Sequence, residues 1–117
     1  MNANDIINTV KDSRPGTDNE TILKYIREQE KKISRFISRF EGYNDDLMLP
    51  NAVNDELYLP EEYSDIYVLY CLTKIDFSYG ESTDYRNNMI MHDYEWKKWS
   101  SAFTADNMPK SVYIGGI

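Results

Sequence analysis

The 117-residue chain carries a formal net charge of −7 and a single cysteine, Cys71. That length suits one domain, and a lone cysteine excludes both an intrachain disulfide and a cysteine-rich zinc cluster. The acidic balance argues against a protein that holds DNA by its phosphates, and ten tyrosines in a chain that is 14% aromatic argue against a disordered segment.

The opening Met-Asn-Ala-Asn-Asp lacks the basic and apolar regions of a signal peptide. No stretch approaches the roughly 18 uninterrupted apolar residues of a membrane span, so the expectation is a reducing, aqueous compartment and no membrane. Residues 4–12 predict a short helix with Ile6, Ile7 and Val10 on its apolar side, stopped by Ser13-Arg14-Pro15-Gly16. Thr17 and Glu20 then have the spacing of a capping box. Ile22, Ile26, Ile33, Ile37 and Phe40 follow at helical spacing, Phe36 widens the face, and Gly42 marks the expected stop. Positive charge concentrates here. Lys24, Arg27, Lys31, Lys32, Arg35 and Arg39 against Glu28 and Glu30 leave this stretch at +4 and the rest of the chain at −11. Lys31, Arg35 and Arg39 form a like-charged row that an isolated helix would not favour. The row points to an acidic partner surface, with a solvated face as the plainer alternative.

Residues 41–65 invert that pattern, with Glu41, Asp45, Asp46, Asp55, Glu56, Glu61, Glu62 and Asp65 and no lysine or arginine. Asn, Asp and Pro punctuate the stretch, which reads as a long connection. Leu47-Met48-Leu49 and Leu57-Tyr58-Leu59 are readable as two short strands of a hairpin. Pro60 fits the first position of the next helix and Glu61 and Glu62 its first turn. From residue 66 to 79 the chain is apolar nearly all round: Tyr63, Tyr67, Tyr70 and Phe77 line one side, and Val68, Leu72, Ile75 and Tyr79 another. A small chain has few elements to cover both, so oligomerisation is expected through the second. Gly80 suits the helix end, Ser82 is placed to cap the last helix, and Tyr85, Met89, His92, Trp96, Trp99 and Phe103 repeat at steps of four and three as one stripe. Asn107-Met108-Pro109 breaks that helix, and the remaining residues, Tyr113 among them, read as a frayed end or an arm laid on a neighbour.

Reaction chemistry finds little footing. His92 is the lone histidine, and its helical neighbours at four residues are Asn88 and Trp96, which are no metal partners. It reads as a partly buried histidine with one hydrogen-bond partner. Asp45-Asp46 and Asp55-Glu56 lack the spacing of a calcium loop. Cys71 reads as a packing residue, and Trp96 and Trp99 as core or interface anchors. The expectation is therefore no enzyme, no cofactor and no metal. The fold expected is all-α, four helices with a C-terminal helical hairpin, divided as a domain over 1–106 and an extended tail over 107–117.

The hairpin itself resembles a known family. Leu59-Pro60-Glu61-Glu62-Tyr63-Ser64-Asp65-Ile66-Tyr67, then Tyr70, then Ile75-Asp76-Phe77-Ser78-Tyr79-Gly80-Glu81 and Tyr85-Arg86-Asn87-Asn88-Met89-Ile90-Met91 are similar to the head–tail connector (adaptor) proteins of tailed bacteriophages and prophages of Gram-positive bacteria. The resemblance implies a helical virion subunit, made in the host cytoplasm and placed at the head–tail junction. There it would join copies of itself in a ring below the portal protein, extend the DNA channel and offer a platform to head-completion or tail proteins. DNA would pass through without being specifically bound. The expected subunit contacts pair Lys31, Arg35 and Arg39 with Asp45, Asp46, Asp55 or Glu56 of the next copy, beside Val68, Leu72, Ile75, Tyr79 and Tyr113. The rival reading is an acidic helical module that sequesters a basic protein partner.

Overall fold

Residues 1–43 and 49–109 are described by a computed structural model containing four helices: α1 (Ala3–Ser13), α2 (Asn19–Ile37), α3 (Ser64–Ser78) and α4 (Ser82–Asp106). A 3₁₀ turn, Glu61–Tyr63, leads into α3. The fold is all-α, with only two isolated bridges, Asn2 to Glu56 and Phe40 to Pro109, among the described residues.

Local chemistry explains the boundaries. Asn2 and Asp5 form a reciprocal capping box at the start of α1, Asp5 N–H donating to Asn2 and Asn2 N–H to Asp5. The cap of α2 is Asp18, whose carboxylate accepts the Thr21 N–H at 2.8 Å. That bond holds the Asp18 carboxyl below its ordinary range. The expected Thr17 box does not form, because the Thr17 N–H is already used by Arg14 O in the preceding turn and Thr17 is buried. Helix α2 also stops before Gly42, which lies beyond its end with φ +88°. Pro60 precedes the 3₁₀ turn instead of opening an α-helix, and Ser82 is the first residue of α4, which has no side-chain cap. Gly80, at φ +74°, makes the joint between α3 and α4, as expected of a helix-ending glycine.

Leu57–Leu59 form no strand; the other half of the expected hairpin, Leu47 and Met48, lies outside the described residues. The exit of the connection instead runs beside the start of α1, with Ala3 N–H donating to Asp55 O and Leu57 N–H to Met1 O. Leu57 and Leu59 drop into the core.

Helix α3 is central. Its neighbours α1 and α2 cover one side and α4 runs antiparallel along another. Ile66, Tyr67, Val68, Cys71 and Ile75 are buried with Ile6, Ile7, Val10, Ile22, Ile26 and Ile33. This corrects the expectation that Val68, Leu72 and Ile75 await a second subunit. Val68 and Ile75 are interior residues of the single chain, and Leu72 is half-buried against the same core. Helices α1 and α2 supply the cover that the sequence argument found missing on this side, and the 25 residues of α4, ~37 Å at 1.5 Å per residue, cover another. The stripe of α4 faces inward as expected: Tyr85, Met89, His92, Trp96 and Phe103 are half-buried and Trp99 is buried.

Candidate docking surface

The polar groups that a site would use are mostly committed to holding the helices together. Glu30 is fully buried; its carboxylate accepts the Tyr67 O–H at 2.5 Å and the Tyr58 N–H at 2.9 Å, while Tyr67 Oη accepts the Leu59 N–H. Burial pushes the Glu30 carboxyl up, against the opposing pull of Tyr67 and Tyr58. The native state thus keeps this proton to higher pH than the unfolded chain does, and stability falls as pH rises above about 4.5 until the folded group ionises. Replacing Glu30 with Gln removes the titration. Denaturation midpoints across mildly acidic to neutral pH are expected to be flatter in Glu30→Gln than in the natural chain. A steeper profile would contradict the assignment.

A cleft of about 380 Å³ opens between α2, α3 and α4, with Tyr70, Phe77, Tyr85 and Met89 in its walls. Lys32 Nζ lies 4.9 Å and Lys74 Nζ 5.7 Å from the Tyr70 ring centre. The Tyr70 hydroxyl donates to Glu28, which also pairs with Lys74 at 3.8 Å. His92 reaches from α4 into this cleft and meets Gln29 Oε1 at 2.6 Å, with Asp93 3.5 Å from its other ring nitrogen. Desolvation lowers the imidazole pKa, and Asp93 only partly opposes it. The ring is therefore neutral near pH 7, linking α4 to α2. Gln29 Nε2 is the buried side-chain atom without a hydrogen-bond partner among the described residues. Cys71 is buried, its thiol pushed well above its ordinary range by desolvation, and 4.0 Å from Ile22 O. Such a thiol packs and does not attack. Among the described residues no three metal-ligating side chains converge.

What stays open is surface. Phe77, Tyr79, Ile90, Met91 and Tyr94 are 54% to 68% exposed. Ile90, Met91 and Tyr94 lie at three- and four-residue spacing on the side of α4 opposite the inward stripe, so this helix is apolar on both faces over its middle. Phe77 and Tyr79 flank the Gly80 joint, where Phe77 packs against Tyr85 at 5.3 Å. Sequence reasoning took Tyr79 but missed the other four. The spacing of Ile90, Met91 and Tyr94 was a readable signal, overshadowed by the stripe beside it.

The charged candidates separate. Lys31, Arg35 and Arg39 are exposed; Arg39 lies over the Phe36 ring at 5.8 Å, while the side chains of Lys31 and Arg35 have no partner among the described residues. Asp55 accepts the Asn51 and Ala52 N–H groups, which hold its carboxyl below its ordinary range, and Glu56 accepts from the Met1 amino group at 3.1 Å. Both are exposed yet already engaged within their own chain. Asp45, Asp46 and Tyr113 lie outside the described residues.

No helix among the described residues is long and apolar enough to cross a membrane. Comparison with family models, curated proteins and solved structures found no match.

Proposed function

We propose that this chain is a structural subunit of a phage head–tail connector, whose work is to dock copies of itself into a ring below the portal and lengthen the DNA channel. The observation that carries the reading is the exposed apolar surface of the α3–α4 hairpin: Phe77 and Tyr79 at its tip and Ile90, Met91 and Tyr94 on the outer face of α4. An apolar surface outside a closed core is the mark of an interaction site. Covering a large apolar side chain contributes about 1.5–3 kcal/mol. All five are already partly covered and two are tyrosines with a polar tip, so together they reach the lower part of the roughly 4–15 kcal/mol that association costs. The resemblance of residues 59–99 to connector proteins names the kind of assembly. The net charge of −7 suits a channel wall that DNA passes without adhering. The ring would sit at the virion head–tail junction, between the portal and head-completion or tail proteins.

Sedimentation and electron microscopy, on the protein alone and with the portal protein of the same genome, test this. The expected result is a closed ring. Ile90→Glu with Met91→Glu should abolish it while leaving the melting temperature nearly unchanged, since both positions are exposed. A single-chain mass at every concentration, with and without the portal protein, would overturn the proposal.

A further inference from the structure

The exposed charges of the chain fall into separate patches. Arg27, Lys31 and Arg35 repeat at four-residue steps and rise ~12 Å along α2, all exposed and with no ion pair among the described residues. The buried side of this helix is set by Ile22, Ile26, Ile33 and Ile37, so the basic row points away from the body of its own chain. Glu28, the nearest acid on the helix, is held by Tyr70 and Lys74. Of the acids expected to meet the row, Asp55 and Glu56 are occupied within their own chain, and Asp45 and Asp46 lie outside the described residues. Glu61, Glu62 and Asp65, by contrast, cluster where the 3₁₀ turn enters α3; all three are exposed and their side chains form no hydrogen bond or ion pair among the described residues.

We propose that the Arg27–Lys31–Arg35 row of one copy docks on the Glu61–Glu62–Asp65 patch of a second copy. This rests on the building-block reading above and assigns the partner surface within it. Charge complementarity identifies the occupant: the chain carries both signs as separate exposed patches that form no ion pair with each other among the described residues. A nucleic-acid backbone would also attract the row, but a chain of net charge −7 repels it over longer range. Because the two patches differ, the contact is heterologous, and repetition of a heterologous contact closes a ring or extends a filament. The exposed pairs set direction and register, while the apolar surface of the hairpin supplies most of the affinity.

Carbodiimide cross-linking of mixed light and nitrogen-15-labelled protein tests the contact. The expected result is intermolecular linkage of Lys31 to Glu61 or Glu62, lost at high salt. Lys31→Glu/Arg35→Glu and Glu61→Lys/Glu62→Lys should each weaken self-association at least tenfold. Mixed together, they should regain assembly, because the natural row of one faces the natural patch of the other and the two reversed patches are again opposite in sign. Circular dichroism melts confirm that both variants remain folded. If the natural chain assembles and neither reversal changes it, the pairing is wrong while the building-block reading stands. If the natural chain never assembles, both fail. If it retains a duplex DNA fragment and Lys31→Glu/Arg35→Glu releases it, the row serves nucleic acid and the pairing is overturned.

Discussion

Replacing Arg14 with Met is expected to lower the unfolding free energy by about 3 kcal/mol, the lower end of the range for breaking a buried ion pair. Arg14 closes α1 and donates through Nε and Nη2 to the two carboxylate oxygens of Asp76, both at 2.8 Å. Asp76, near the end of α3, is 2% exposed, and Asn88 of α4 adds a third bond at 2.8 Å. Without the guanidinium, a carboxylate stays in the interior with only Asn88 to hold it. Arg14 itself is 28% exposed, so water can partly replace it, which sets the figure at the lower end. Against a typical total of roughly 5–15 kcal/mol the loss is large. Removing the buried charge as well, in Arg14→Met/Asp76→Asn, should recover part of it. Chemical denaturation of both variants measures the difference; a double variant no more stable than the single would show that the pair is not what Arg14 contributes.

Trp99→Ala is expected to cost about 3–5 kcal/mol, the range for emptying a buried aromatic site. Trp99 is 5% exposed and lies 5.3 Å from Phe36, 5.2 Å from Trp96 and 5.5 Å from Phe103 between ring centres. Phe36 and Phe40 of the α2 end complete the cluster, which holds the second half of α4 against α2. Trp96 is only half-buried, so Trp96→Ala should cost less in the same thermal melts. Equal losses would mean that the cluster, and not burial at position 99, sets the scale.

Both predictions show where single-sequence reasoning reaches and where it stops. The four helices, the Gly80 joint and the inward stripe of α4 were legible because each is written in local spacing. The Asp18 cap was missed by one residue, since Thr17 and Asp18 are both competent and a backbone bond elsewhere decided between them. The strand expected over Leu57–Leu59 failed because those leucines answer to the core beneath α3 and not to a partner strand. Reading α3 as two-sided was sound, but periodicity reports that a face is apolar and not what covers it. Val68 and Ile75 were therefore assigned outward, although they are buried in the core that α3 shares with α1 and α2. Arg14–Asp76, Glu30–Tyr67 and Gln29–His92 join residues 62, 37 and 63 positions apart, and no local pattern announces such pairs. Of the candidate surface, the basic row was visible as charge and Tyr79 as part of an apolar line. The outer face of α4 emerged only once the inner stripe had been seen to use the other side.

The link between α2 and α3 is fastened at both ends before its middle matters. At its start, Glu41 N–H donates to Met108 O and Phe40 bridges to Pro109. At its exit, Tyr58 and Leu59 hang from Glu30 and Tyr67. Doubling a loop's length adds only about 0.6 kcal/mol of closure cost. A reporter peptide spliced between these two fastenings is therefore expected to leave the helices in place, and would give assembly studies a handle remote from the hairpin.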